Sequence, residues 1–223
     1  MTWQKRAFDL FLAICLSIVL SPLMLWLSWK LWRSQGRPVF FVSERMRSAD
    51  RSFQLWKFRT MHVVARDQGV SGGHKSNRIT PMGQRLRALR LDELPQLWNI
   101  LRGDLSFVGP RPPLREYVAK YPGIYAQVLQ SRPGVTGLAT LRFHKHEERL
   151  LARCMTPDET EAIYTRICIP RKARLDLIYQ RNQSLWFDLS ILVATCRTVF
   201  RRKAAGSARP NHPLRQEVDV GRQ

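Results

Sequence analysis

The sequence predicts an α+β chain: an N-terminal membrane helix followed by a compact, mainly helical domain that contains a short β-hairpin. Three observations carry this. From Leu10 to Leu27 the chain is almost wholly apolar (LFLAICLSIVLSPLMLWL). Two runs of β character, Val39 to Val42 and Phe53 to Phe58, flank the polar stretch SERMRSADRS. Beyond them, helix-starting and helix-ending residues recur along the chain.

With 223 residues the chain can hold one domain with its own core plus an anchor. Hydrophobic residues make up 44%, which argues against general disorder. The net charge of +20 calls for an anionic partner: nucleic acid, an anionic membrane face or phosphate-bearing substrates. Cys15, Cys154, Cys168 and Cys196 form no C-x-x-C pair and read as reduced, mostly buried thiols. His144 and His146 have no cysteine at zinc-ligand spacing.

The apolar run covers about 27 Å as a helix, marginal for a hydrocarbon core of about 30 Å. A cleaved signal peptide fits poorly, because Trp, Lys and Arg follow where small residues should stand. A spanning helix and a re-entrant helix both remain open, with a buried core helix as the bland alternative. Lys5 and Arg6 precede the run, and Lys30, Arg33 and Arg37 follow it, so both ends favour the cytoplasmic face. Pro22 removes a helix hydrogen bond and predicts a bend, and the Ser21 hydroxyl is placed to satisfy a freed carbonyl.

Gly36-Arg37-Pro38 reads as the turn that ends the anchor. After the hairpin, residues 66–78 form a loop without the glycine pattern of a P-loop. Thr80-Pro81 caps and opens a helix carrying Arg85, Arg87 and Arg90. Pro95 opens another helix and Gly103 ends it. Residues 109–113 (GPRPP) are stiff and extended, 114–130 predict a single helix, and 133–137 predict a turn-rich loop. Thr156-Pro157-Asp158-Glu159 starts a helix, and 171–182 look helical. The apolar helix 185–200 is suited to the core or to the membrane surface. This gives an anchor over 1–36, a folded domain over 37–203 and a disordered tail over 204–223.

Chemistry points to Asp92-Glu93, an acid pair in a basic neighbourhood. Read blandly, the pair caps a helix and makes surface ion pairs. Read functionally, the two carboxylates face a phosphate site, where nearby cations favour the charged form and a carboxylate serves as nucleophile or metal ligand. Arg59, Arg87 and Arg111, with Lys57 as a point charge, are the candidates to hold the oxyanions.

KRAFD at 5–9, the Ser21-Pro22 break, KFRTM at 57–61, LDELPQLWNILRGDLSFVGPRP at 91–112 and RPGVTGLA at 132–139 together resemble the bacterial sugar transferase family. These are the monotopic polyprenyl-phosphate phosphoglycosyl transferases, and the chain is similar to the small, single-anchor members. The resemblance implies that Asp92 takes a sugar-phosphate from a UDP-sugar as a phospho-aspartyl intermediate and releases UMP. Undecaprenyl phosphate would then accept the group, opening the synthesis of an exopolysaccharide, capsule, O-antigen or glycoprotein glycan. It further implies that Glu93 deprotonates or orients the acceptor, that Mg²⁺ sits at Asp92 and the diphosphate, and that Lys57, Arg59, Arg87 and Arg111 bind phosphates. The anchor would be re-entrant, with the catalytic domain on the cytoplasmic face of the bacterial inner membrane and anionic lipids as a further partner. Residues 142–156 (RFHKHEERLLARCMT) depart from the pattern, and sugar selection is expected near them without a motif. Two rival functions follow from the sequence: a membrane-tethered nucleic-acid binder, for which no motif is present, and an inactive assembly factor, which the intact acid pair opposes. The sugar is left open, as is the oligomeric state, a homodimer among the options.

Overall fold

The computed structural model describes residues 1–64 and 77–206. Most of the loop expected over 66–78, and most of the tail expected over 204–223, lie outside the described residues.

The chain opens with one long helix, α1 (Trp3–Gln35), capped by Thr2 and ended by Gly36 at a positive φ of 67°. It is long and apolar enough to cross a membrane. The helix continues on both sides of Pro22. Ser21 Oγ donates to Ile18 O at 2.8 Å, the carbonyl that an amide at position 22 would have taken. Ile18, Val19 and Leu25 are 69%, 70% and 71% exposed, so the middle of the helix offers apolar surface to its surroundings.

Both ends of α1 dock on the same domain. Near the start, Lys5 Nζ pairs with Asp188 in the interior and reaches Tyr179 Oη at 3.3 Å. Arg6 donates to the carbonyls of Ile100 (2.7 Å) and Leu101 (2.9 Å), and Asp9 Oδ1 accepts the Phe107 amide. The expectation that Lys5 and Arg6 are flanking interfacial charges is therefore corrected for Lys5, which is buried and ion-paired. Near the far end, Leu27 and Leu31 pack with Phe58 and Leu86.

The hairpin pairs β1 (Phe40–Met46) antiparallel with β2 (Ser52–Phe58), from Phe40 opposite Phe58 to Met46 opposite Ser52. It runs longer than expected because the polar residues of Ser-Glu-Arg-Met keep pairing. Next come α2 (Pro81–Ala88), a 3₁₀ turn (Leu91–Glu93) and α3 (Gln96–Arg102). Thr80 Oγ1 accepts the Gly83 amide at 2.9 Å, and Gly103, at φ 88°, ends α3. Asn99 in α3 accepts the Trp56 amide (3.1 Å) and donates to Gln54 O (2.7 Å), so the helix grips the edge of β2 as a strand would.

Two expectations are corrected. The single helix over 114–130 is two, α4 (Arg115–Lys120) and α5 (Pro122–Val128). Tyr121 sits at φ −130°, ψ 59°, outside helical space, because Pro122 follows it. The turn-rich 133–137 contains a strand, β4 (Gly134–Thr136), which pairs in parallel with β3 (Ser106–Val108). This contact needs glycine: a Cβ on Gly134 would lie 2.2 Å from Gly109 N, and one on Gly137 would lie 2.1 Å from Gly109 O. The chain closes with α6 (Leu138–Ala152), α7 (Pro157–Ile163), a π turn (Tyr164–Cys168), α8 (Ile169–Arg181) and α9 (Leu185–Gly206). Thr156 and Glu159 complete a reciprocal capping box at the start of α7. In α9, Asp188 and Ile191 are buried while Trp186, Leu189 and Val193 are exposed, so this helix presents one face to the core. Cys154 and Cys168 are buried and Cys196 is exposed, so the four thiols are free but not uniformly inside.

Candidate active site

The 3₁₀ turn between α2 and α3 carries the acid pair. Arg90, just before it, adopts a left-handed conformation (φ 55°) that turns the chain sharply. Asp92 and Glu93 are each 8% exposed, yet their surroundings differ.

Glu93 is clamped. Its Oε1 accepts from Lys57 Nζ at 2.9 Å and from Arg111 Nη2 at 3.1 Å, and its Oε2 accepts from Arg90 Nε at 3.2 Å. Burial opposes its charge, but Lys57, Arg111 and Arg90 outweigh burial and hold the carboxyl well below its ordinary value. A carboxylate in that state is a good counter-ion and a poor base.

Asp92 is open. No hydrogen bond or ion pair reaches its carboxylate among the described residues. Burial raises its pKa, and Glu93 adds to the rise, against the pull of Lys57, Arg87 and Arg111. The expectation that cations would dominate and favour its charged form is thus corrected, because their direct bonds go to Glu93. The rise makes Asp92 more basic and so more nucleophilic once ionised.

The other predicted residues divide in two. Lys57 and Arg111 join the acid pair directly. Arg111 follows the Gly109-Pro110 segment, which the parallel β3–β4 contact fixes against Gly134. Its side chain keeps 37% exposure, so donors remain for a ligand. Arg87 lies within electrostatic reach of Asp92, with its Nε donating to Thr60 Oγ1 at 2.8 Å. Gly83 lets α2 approach closely there, since a Cβ would stand 2.1 Å from Thr60 O. Arg59 lines the same cleft but makes no bond to the acid pair. It is buried, and its guanidinium donates to the carbonyls of Gln35, Gly36 and Arg37, capping the end of α1. Ser21 and Pro22 lie on α1, away from these residues.

A cleft of about 940 Å³ joins these groups, running from Phe40, His62 and Arg78 past Asp92 and Arg111 to Lys172 and Asp176. Its size suits a nucleotide-sized ligand. Its basic centre, Lys57, Arg87 and Arg111 around one unpaired carboxylate, suits a phosphate group under attack. No group of three or more His, Cys, Asp or Glu side chains gathers as a metal cage among the described residues. Asp92 alone offers an uncommitted carboxylate at this centre, which fits Mg²⁺ only in its usual mode, shared between one carboxylate, water and substrate phosphates.

The missed residues, Glu147, Lys172 and Asp176 in the far part of the cleft, belong to helices with no motif. The unexplained stretch 142–156 was the one signal near them.

The bacterial sugar transferase family model matches residues 1–202. The chain is 35% identical over 208 residues to an uncharacterized sugar transferase of Bacillus subtilis, covering 93% of this chain and 92% of that protein. It is 34% identical to a UDP-glucose:undecaprenyl-phosphate glucose-1-phosphate transferase of Caulobacter vibrioides, covering 86% of this chain and 68% of that protein. It is 32% identical to an undecaprenyl-phosphate glucose phosphotransferase of Komagataeibacter xylinus, covering 90% of this chain and 37% of that protein. The chain thus spans about two fifths of the length of several relatives that it matches.

Proposed function

The chain belongs to the bacterial sugar transferase family, and from that premise we propose that it moves a sugar-1-phosphate from a UDP-sugar to undecaprenyl phosphate and releases UMP. The observation that carries this reading is the unequal acid pair: an unpaired Asp92 beside a Glu93 clamped by Lys57, Arg90 and Arg111.

Asp92 attacks the phosphorus that bears the sugar. A bond forms between its carboxylate oxygen and that phosphorus, and the bond to the UMP oxygen breaks. Lys57, Arg87 and Arg111 hold the phosphate oxygens, which otherwise repel the incoming carboxylate. A phosphate oxygen of the lipid then attacks the phospho-aspartyl group, and the bond to Asp92 breaks. Asp92 is the residue that would hold Mg²⁺, which when bound would supply charge neutralisation for the leaving UMP. Glu93 keeps the cations in place and orients the acceptor through them; its low basicity makes it unsuited to removing a proton.

The anchor supports a re-entrant placement. A domain docked to both ends of α1 lies on one side of the bilayer, so both helix ends face the same water. The apolar middle, with Ile18, Val19 and Leu25 exposed, then dips into lipid. The +20 charge suits the anionic cytoplasmic face of the bacterial inner membrane, where a soluble donor and a lipid acceptor can meet.

The test is UMP release by the membrane-reconstituted chain given Mg²⁺, undecaprenyl phosphate and a panel of UDP-sugars. Release is expected with at least one sugar, with radiolabel from the sugar-phosphate trapped on the wild type and none on Asp92→Asn. Full turnover by Asp92→Asn would remove the covalent route. Cysteine labelling should place residues before and after α1 on the cytoplasmic side; a periplasmic N-terminus would sink the re-entrant placement.

A further inference from the structure

The far lobe of the cleft has no part in the phosphate chemistry, yet it holds costly groups. Asp176, on α8, is 6% exposed, and no hydrogen bond or ion pair reaches its carboxylate among the described residues; Oδ1 is wholly buried without a partner. Glu147, on α6, accepts from Lys172 Nζ at 2.9 Å, and Lys172 also reaches Tyr164 Oη at 3.4 Å on the π turn. These side chains line the same cleft as Asp92. A buried carboxylate without donors is unfavourable unless something supplies them.

The chemistry of the lobe differs from that of the centre. The centre gathers cations; this lobe gathers carboxylate acceptors, in a chain whose net charge is +20. Lys172 neutralises Glu147, and burial keeps a proton on Asp176 up to about pH 7, so the lobe carries little net charge and suits a neutral group rich in hydroxyls. Arg111 bonds Glu93 on one side and lies within electrostatic reach of Glu147 on the other, so the lobe begins where the phosphate centre ends. In the reaction above, Asp92 attacks the phosphorus that carries the sugar. The sugar is therefore joined through a single oxygen to the attacked phosphorus, while the nucleoside lies beyond a second phosphate.

Resting on the sugar-phosphate transfer reading, we propose that this lobe seats the sugar ring of the donor and discriminates among sugars. The Asp176 carboxyl and the free oxygen of Glu147 hydrogen-bond ring hydroxyls, Lys172 donates to a ring substituent, and Tyr164 flanks the ring. The lobe lies against α6, which lines it with His144, Glu147 and Leu151.

The experiment uses full-length chain in nanodiscs with undecaprenyl phosphate and Mg²⁺. Wild type, Asp176→Asn and Glu147→Gln are compared for kcat/KM with UDP-glucose, UDP-galactose and their N-acetylated counterparts, and for inhibition by UMP. Loss of one hydrogen bond to a charged group predicts that the preference between the best sugar and its nearest competitor shifts by about tenfold or more. UMP inhibition should stay within about twofold of wild type, since UMP carries no transferred sugar. An equal loss for every donor with weakened UMP inhibition would assign the lobe to the nucleoside and overturn the proposal. Unchanged kcat/KM for all four sugars would overturn it as well. A wild type that binds UMP but turns over no UDP-sugar would instead remove the transfer reading, and this assignment with it. Should Asp176→Asn fail to fold, Glu147→Gln carries the same comparison.

Discussion

Replacing each acid of the pair by its amide should separate stability from catalysis. In Glu93→Gln, three cations lose one counter-ion. Removing one partner of a buried ion pair costs about 3–5 kcal/mol, and hydrogen bonds to charged groups are worth about 1.5–3 kcal/mol each. Glutamine retains one acceptor oxygen, and Arg90 and Arg111 keep 23% and 37% exposure, so water can solvate them. The lower end applies: a loss of about 3 kcal/mol, or about 6–12 °C in Tm for a chain of this size. Asp92→Asn removes a buried charge that no hydrogen bond or ion pair supports among the described residues, so Tm should hold or rise slightly. Its UMP release should fall by about 10,000-fold or more, as for other lost nucleophiles.

Tryptophan fluorescence during heating, run beside UMP release, measures both effects. The pH dependence gives a second check. Glu93 has a lowered folded pKa, so its stabilisation is present above the ordinary carboxylate range and is lost as pH falls through that lowered value. The acid-side fall in Tm should therefore be shallower in Glu93→Gln. A Glu93→Gln protein with wild-type Tm, and a rate that has lost a titrating limb, would show that Glu93 works as a base and that the clamp is incidental.

Burial pushes the Asp176 carboxyl up to about 7, against the pull of Lys172, so the folded chain holds a proton that the unfolded chain releases. Its contribution is present below about pH 4 and is lost as pH rises to about 7, by at most about 4 kcal/mol; Asp176→Asn should flatten Tm over that window, and an unchanged slope would refute the assignment. Gly134→Ala drives a Cβ to 2.2 Å from Gly109 N and 2.6 Å from Val108 C, so β3–β4 should separate, with about 1–3 kcal/mol lost and UMP release lowered through Arg111. Gly123→Ala, with nothing within 4 Å of the new Cβ, should leave both unchanged and serves as the control. Lys5→Met leaves Asp188 without its counter-ion, with Tyr179 Oη as its remaining donor, and should cost about 3–5 kcal/mol, while adding Asp188→Leu should recover most of the loss in a double-mutant cycle of Tm values.

Features written in local chemistry were legible in the sequence. Thr80 and Thr156 cap their helices, Pro95 and Gly103 bound α3, and the hairpin forms where β-branched and aromatic residues gather. Features set by distant partners were not. Nothing near Lys5 tells that Asp188 awaits it, since the pair is 183 residues apart. The strand β4 is three residues long, too short to show alternation, and exists because Gly109 and Gly134 let two backbones meet. Arg59 lines the cleft as its residue type suggests, but its bonds to the carbonyls at the end of α1 could not be read from the sequence. For Asp92 and Glu93 the sequence located the pair without distinguishing its members, because the difference lies in which way each side chain points.

That difference begins in the backbone. Successive residues of a 3₁₀ turn project about 120° apart, so adjacent acids cannot share one environment. Arg90, in its left-handed conformation, aims the turn, and its bond to Glu93 Oε2 helps to hold that unfavourable geometry. The arrangement answers a specific electrostatic problem. A phosphate site needs buried cations, and buried cations would pair with the nearest carboxylate and blunt it as a nucleophile. Glu93 takes Lys57 and Arg111 as direct partners, which keeps them charged and close while leaving Asp92 without a bond to either. In the proposed transfer, an arriving diphosphate would compete with Glu93 for those donors, and Asp92 would have no bond to either cation to release before attacking.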